Sequence, residues 1–277
     1  MTATQQNVPV RTCPFHRLPA PTRGAAGVAA FLYGLLAYAA FFISFAYAAL
    51  FVGNWLVPKT IDSGNASLPT PVALVIDGLL LIVFVLQHTI MARPAFKRWW
   101  TKIVPTSIER STFVLLASAS LGLMLCLWQP APHIVWRVTS PAAFWGLTIL
   151  SIVGYVIVFA ASCMVSHFDL FGLRQVWFRV MGRAYEPIGF RLRGLYKLVR
   201  HPLMLGFLIA FWATPTMTVG HLFFAIMTTL YIRFGTWMEE RDLIAEHGET
   251  YLAYRRAVPG ILPIRGNAAA RLEEAAA

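Results

Sequence analysis

Two polar clusters interrupt a largely apolar sequence, and each stands where an apolar run begins or ends. The first is Arg200-His201-Pro202, directly before LMLGFLIAFW. Proline suits the first helical position, because its missing N–H is one a helix leaves unpaired there anyway. His201 then falls near the helix N-cap, where free N–H groups and a partial positive charge favour a carboxylate or phosphate. Gly206, one turn inside, leaves room for a close approach. The second cluster is TLYIRFGTWMEERDL, with Arg233 inside an apolar run and Glu239-Glu240 after it. Intramembrane charges are costly unless paired or facing a cavity. Arg233 and Glu240 share a helical face, with Trp237 between them. A cationic helix start and an acidic helix end at one depth fit a ligand with a carboxylate, an ammonium and a further positive centre. The plainer reading is an Arg–Glu pair that locks two helices, with Arg200 and His201 as interfacial side chains reaching toward water.

The elements that must position these residues are membrane helices. Of the 277 residues, 58% are hydrophobic and 13% charged, against about 25% charged in soluble domains. Mean hydropathy is +0.63. Apolar runs of bilayer length recur, at Gly24 to Leu56, Val72 to Met91, Ser111 to Trp128 and Ala142 to Ser166. No secretory signal peptide is evident. The stretch His167 to Arg200 is basic, aromatic and amphipathic, and reads as a segment lying at the membrane surface. Two further runs, Pro202 to Ala213 and Val219 to Trp237, are joined so tightly around Pro215 that they should form a helical hairpin. An amphipathic helix ending at Pro259 follows. The expected fold is an all-α integral membrane protein of about six membrane helices, five being possible, with a C-terminal hairpin and amphipathic helices on the cytosolic side. Its parts are a polar tail (1–23), a four-span region (24–166), an interfacial segment with hairpin and C-terminal helix (167–263), and a disordered tail (264–277).

The cations orient this arrangement. With six spans, the N-terminus, the 93–110 loop, the 167–200 segment and the C-terminal tail share one side and carry 3, 5, 7 and 5 of the 23 Lys and Arg. By the positive-inside rule that side is the cytoplasm, so the polar clusters face inward. Topology therefore accounts for the net charge of +11, and nucleic acid is not expected as a partner. Cys13, Cys126 and Cys163 lie far apart, with no spacing for zinc or a disulfide framework. The oligomeric state stays open.

The ordered set RHPxxxG, a hairpin, EE and then G-x-x-Y-x-x-Y (Arg200-His201-Pro202, Gly206, Glu239-Glu240, Gly248, Tyr251, Tyr254) resembles the membrane-embedded isoprenylcysteine carboxyl methyltransferases over Tyr196 to Pro263. Met204 stands where many of those proteins have tyrosine. The stretch SHFDLFGLRQVW, Ser166 to Trp177, resembles the bacterial methanethiol S-methyltransferases of the same superfamily, and the likeness extends over most of the chain in span order and length. These resemblances imply S-adenosylmethionine as cofactor, lined by Tyr196, Arg200, His201, Pro202, Leu203 and Gly206, with Glu239 or Glu240 on its amino or ribose groups. They imply methanethiol as substrate and dimethyl sulfide as product. A larger lipidic or prenylcysteine-type substrate is the enzymatic alternative. A non-enzymatic membrane factor of nitrogen-oxide metabolism is the other, although such a factor would have no reason to keep a cofactor-shaped set of charges.

Methyl transfer from a sulfonium requires in-line positioning and exclusion of water. The nucleophile must be a thiolate. A small alkyl thiol is a weak acid, with a pKa of about 10 by analogy with cysteine's ~8.5, so a base or a cationic field is expected near it. His167 is the candidate base. Asp169, two residues on, orients it only if the helix has ended there. Arg174 either lowers the thiol pKa by its charge or binds the cofactor carboxylate. His88, with Gln87, could reach the substrate from the cytoplasmic end of the second span, and Trp237 and Arg233 could border it from the last. Asp77 is expected to cap a partner helix; His133 and His221 receive no role. Phe171, Trp177, Tyr196 and Trp237 could wall the cofactor and meet its sulfonium by cation–π contact.

Overall fold

A computed structural model describes residues 24–64, 66–186, 188 and 193–264. The tail 1–23 and all but the first residue of 264–277 lie outside these. The described chain is mostly helical. Four helices are long and apolar enough to cross a membrane: α1 (Ala25–Gly53), α2 (Thr70–Ala92), α4 (Thr106–Leu127) and α5 (Pro141–Val165), with the short α3 (Pro94–Trp100) between the second and third of them. After α5 come α6 (His167–Leu170), α7 (Leu173–Val180), a 3-10 turn (Gly194–Lys197), α8 (Pro202–Trp212), α9 (Val219–His247) and α10 (Glu249–Ala257). Proline stands in the first turn of α2, α3, α5 and α8, where its fixed φ suits a helix start. Asn54 ends α1 in the left-handed region at φ 57°, a common helix stop.

Large apolar side chains cover the outer faces of the long helices. Leu36 (60% exposed), Ile43 (68%) and Trp145 (61%) are examples, and such a surface suits lipid. The core is small. Phe51, Ile61, Leu81, Trp128 and Phe224 form its main cluster, and the Trp128 indole donates to the Ile61 carbonyl at 3.2 Å. Asp77, fully buried, accepts from the backbone N–H of Gln129 at 2.8 Å, just past the end of α4. This contact ties α2 to the loop after α4 and is not the helix cap expected, since the groups left free at a helix C-terminus are carbonyls, which a carboxylate cannot satisfy.

The structure corrects several expectations. The fold is not purely helical: β1 (Ile134–Arg137) pairs antiparallel with β2 (Thr216–Thr218), Trp136 opposite Met217. The β-branched and aromatic run IVWR favours a strand, and the ladder satisfies backbone groups in two loops at one end of the helices. The third apolar helix begins at Thr106 rather than Ser111, since Glu109 in its first turn complements the helix dipole. Part of the 93–110 loop is the helix α3. The last apolar run and the start of the amphipathic tail form one helix: α9 carries Glu239 and Glu240 and continues to His247 before Gly248 breaks it at φ 56°.

Gly206 is likewise occupied differently. A Cβ there would lie 2.6 Å from the carbonyl oxygen of Gly154 on α5, and a Cβ on Gly154 would lie 2.6 Å from that of Gly206. The two glycines let α5 and α8 touch backbone to backbone, as small residues do between membrane helices. Gly206 thus makes room for α5.

Candidate active site

The start of α8 is clamped by the chain that follows α10. The Arg200 N–H donates to the Pro259 carbonyl at 2.9 Å, and the His201 N–H to the Gly260 carbonyl at 3.1 Å. The Arg200 guanidinium donates to Glu240 Oε1 through Nε (2.8 Å) and Nη2 (2.6 Å). Its Nη1 donates to the carbonyls of Arg255, at 3.1 Å, and Val258. His201 stands between the acids, with Nε2 3.1 Å from Glu240 Oε1 and Nδ1 3.6 Å from Glu239 Oε2. Arg255 Nε adds a contact to Glu240 at 3.5 Å. The Tyr254 hydroxyl donates to the Tyr196 carbonyl at 2.7 Å, drawing the 3-10 turn into the same cluster.

The two glutamates differ in what they have left to offer. The Glu240 side chain is 15% exposed and that of Glu239 is 50% exposed. Burial alone would raise the Glu240 pKa, but the hydrogen bonds from His201 and Arg200 and the guanidinium charge outweigh it and hold the carboxyl at about 2. Glu240 is therefore an anion at neutral pH, with Oε1 engaged by Arg200 and His201 and Oε2 facing Arg255 at 3.5 Å. Glu239 meets only the edge of His201 among the described ion pairs. Burial first, and the Glu239 charge second, push the Tyr196 phenol up to about 12, so it remains a neutral hydroxyl beside that carboxylate.

A second cluster surrounds His167 at the end of α5. Both ring nitrogens are engaged: Nε2 lies 2.9 Å from the Tyr38 hydroxyl on α1, and Nδ1 2.9 Å from the Ser162 hydroxyl on α5. The rings of Phe159, Phe168 and Phe171 pack around it, Phe171 at 4.8 Å. Burial lowers the His167 pKa below the usual histidine value, which keeps the imidazole neutral and able to accept a proton. Asp169 does not orient it. The helix α6 runs from His167 to Leu170, so residues two apart diverge. Asp169 instead accepts from the Tyr185 hydroxyl (2.8 Å), from Gln175 Nε2 (3.3 Å) and from Arg174 (3.5 Å). Arg174 also lies over the Phe178 and Tyr185 rings. It is neutralised within this network, away from His167.

The two clusters are neighbours. The N–H of Leu195, next to Tyr196, donates to Met164 Sδ at 3.3 Å, three residues before His167. Gly194 permits this turn: its φ is +50°, and a Cβ there would strike Met164 Sδ at 2.7 Å. A chain of ring contacts, edge-on, stacked and tilted, also connects α8 to His167, through Phe207, Phe45, Phe41 and Phe171. Pro202 is buried and Leu203 half-buried on the first turn of α8.

Other candidates lie elsewhere. Arg233 is exposed on α9, and among the described residues it forms no ion pair with either glutamate. Trp237, 48% exposed, lies under the Arg241 guanidinium at 5.0 Å. His88 packs between Phe84 and Phe113. It reaches the His167 cluster through rings, since Phe113 belongs to the group on which Phe171 packs. Tyr38, Ser162 and Tyr185 were not singled out in the sequence. Tyr38 and Ser162 lie within apolar helices as single hydroxyls, indistinguishable there from lipid-facing or helix-bonded residues.

Compared with curated proteins, the chain is 52% identical over 240 residues to methanethiol S-methyltransferase 2 of Bradyrhizobium diazoefficiens, covering 86% of this chain and 91% of that protein. It is 49% identical over 232 residues to methanethiol S-methyltransferase of Mycobacterium tuberculosis, covering 84% and 95%. Nurim of Bos taurus is more distant, at 30% identity over 181 residues, 62% of this chain and 68% of that protein. No family model and no solved structure matches the chain. With half of its residues shared over nearly the full length of such relatives, the chain belongs to the methanethiol S-methyltransferase family.

Proposed function

We propose that the protein methylates methanethiol to dimethyl sulfide with S-adenosylmethionine, at the cytoplasmic face of a bacterial inner membrane. The observation that carries this reading is its match to methanethiol S-methyltransferases over 86% of the chain. In it, residues 24–166 form the membrane region and 167–263 the cofactor-binding part. The helices α8 and α9 act as a hairpin that brings the number of crossings to six. The grouping of cations at one side supports that orientation.

The residues around His201 fit the proposed cofactor. Glu239 offers a half-exposed carboxylate with unused acceptor capacity, suited to an ammonium or to ribose hydroxyls. Tyr196, His201, Pro202 and Leu203 line the same edge. Arg200 and Glu240, paired with each other and held by the α10 strap, act as its frame. When bound, S-adenosylmethionine supplies a methyl group already activated on sulfur.

The chain's own task is to supply a thiolate and keep water away. Neutral His167 takes the thiol proton, and the rings around it exclude water. Phe159 and Phe168, both against His167, are 58% and 59% exposed, on a surface that faces lipid in this reading. A small apolar thiol then enters sideways from the bilayer. Purified protein in detergent or lipid, given S-adenosylmethionine and methanethiol, is expected to release dimethyl sulfide into the headspace. Cofactor binding with no dimethyl sulfide would overturn the substrate assignment, and absence of cofactor binding would overturn the whole reading.

A further inference from the structure

The hydroxyl of Ser162 fixes which nitrogen of His167 carries its hydrogen. Ser162 Oγ lies 2.7 Å from the Phe159 carbonyl oxygen, which has no hydrogen to give, so the single hydroxyl hydrogen occupies that contact. Ser162 Oγ can then only accept from His167 Nδ1, 2.9 Å away. The hydrogen of a neutral imidazole is therefore on Nδ1, and Nε2 is a bare lone pair. That lone pair points at the Tyr38 hydroxyl at 2.9 Å and accepts its hydrogen. The Tyr38 oxygen keeps its own lone pairs for a third group.

Resting on the function proposed above, we propose that Tyr38 is a catalytic residue that relays the substrate proton to His167. A thiol donates S–H to the Tyr38 oxygen as the Tyr38 O–H proton passes to His167 Nε2. The S–H and O–H bonds break, and new O–H and N–H bonds form. Tyrosine ends neutral, the imidazole becomes imidazolium, and the thiol becomes a thiolate; the imidazolium later returns its proton to water. The relay needs no tyrosinate, because the hydroxyl gains the thiol proton as it gives up its own. Ser162 acts through His167 as a positioning residue that holds the productive tautomer.

Of the charged groups nearby, Arg110 of α4 donates through Nε to the Leu170 carbonyl at 2.7 Å. Cys163 is the titratable group that faces Tyr38 from α5. Asp169 of α6 and Arg174 of α7 are paired with each other. The rings packed on Tyr38 are Phe41, Phe168, Phe171 and His167 itself.

Tyr38→Phe keeps the ring and removes only the hydroxyl. The test compares methanethiol with methaneselenol, which is already ionised at neutral pH and needs no base. With methanethiol, Tyr38→Phe should lower kcat about 100-fold while methaneselenol turnover stays within about threefold, as loss of a general-base path predicts. The rate on methanethiol should then climb with pH toward the thiol's own ionisation, and the wild-type rate should plateau above the His167 titration. Ser162→Ala should show the same substrate split more weakly, because the alternative tautomer places a hydrogen on Nε2. Retained turnover of the selenol shows that each variant is folded and binds the donor. Equal loss on both substrates would make Tyr38 structural and overturn the relay, as would an unchanged rate and pH profile on methanethiol. Wild-type protein inactive on both substrates would instead refute the methyltransferase reading itself.

Discussion

His201 Nε2 and Glu240 Oε1 stand 3.1 Å apart, joining the residue that opens α8 to the charged turn of α9. Arg200 lies on the same oxygen, and its guanidinium also holds the last turn of α10 and the residue after it. One carboxylate thus ties together three segments separated in sequence. Its neighbour Glu239, one position earlier on the helix, keeps a half-exposed side chain and meets only His201 among the described ion pairs.

The two glutamates should therefore respond differently to the same change. Glu240→Gln leaves Arg200 without its anion in a mostly buried site, a loss of about 3 kcal/mol or more, visible as a lower Tm in detergent. Glu239→Gln should leave Tm nearly unchanged and weaken S-adenosylmethionine binding by about 10-fold or more, the scale of a lost hydrogen bond to a charged group. Calorimetric titration checks the affinity, and the opposite assignment of the two effects would reverse their roles.

Acid should loosen the same clamp. The Glu240 carboxyl is held at about 2 instead of 4.5, a depressed value. Its contribution is full above the unfolded carboxylate pKa and disappears as pH falls from there through the folded pKa. A shift of this size corresponds to roughly 3 kcal/mol. Thermal stability should fall progressively from about pH 5 toward pH 2, and Glu240→Gln should flatten that fall when both proteins are melted across the same pH series.

His167 and Asp169 separate in the same way. His167→Ala should keep cofactor affinity and lose turnover on methanethiol by about 100-fold, within the usual range for a general base. Asp169→Asn preserves the hydrogen bond from Tyr185 and should leave turnover within about threefold, since the imidazole is held by Tyr38 and Ser162 instead. Steady-state rates for the two variants distinguish this arrangement from an Asp–His pair.

The contact between Gly154 and Gly206 predicts a packing defect. With backbone atoms 2.6 Å from any added Cβ, Gly206→Leu forces α5 and α8 apart, an overpacking cost of typically 1–3 kcal/mol and more against backbone. Expression and Tm should drop even without cofactor, whereas a residue that only lined a ligand would alter affinity alone.

The apolar runs made the four long helices legible in the sequence to within a few residues, because lipid-length hydrophobicity is a strong and local signal. Pro202 likewise announced the start of α8. The acidic pair was also legible as a partner of His201, but not the division of labour between Glu239 and Glu240. That division depends on Arg200, on Arg255 and on a strap of backbone after α10, which approach only in three dimensions. Gly206 was legible only as a point of close approach: a glycine does not name what approaches, and Gly154 on another helix is visible only in the structure. The partners of His167 were hidden more deeply. Asp169 was close in sequence and chemically apt, yet one helical turn directs it elsewhere. Tyr38, 129 positions away, takes its place.

Proton supply, donor binding and lipid entry all serve one event, transfer of a methyl group from the donor to a thiol sulfur. The most direct measurement gives the purified protein S-adenosylmethionine carrying a heavy-isotope methyl, together with unlabelled methanethiol, and analyses the headspace by mass spectrometry. The account predicts dimethyl sulfide bearing the heavy label on one of its two methyl groups. Headspace without labelled dimethyl sulfide, while the protein demonstrably binds the donor, would contradict it.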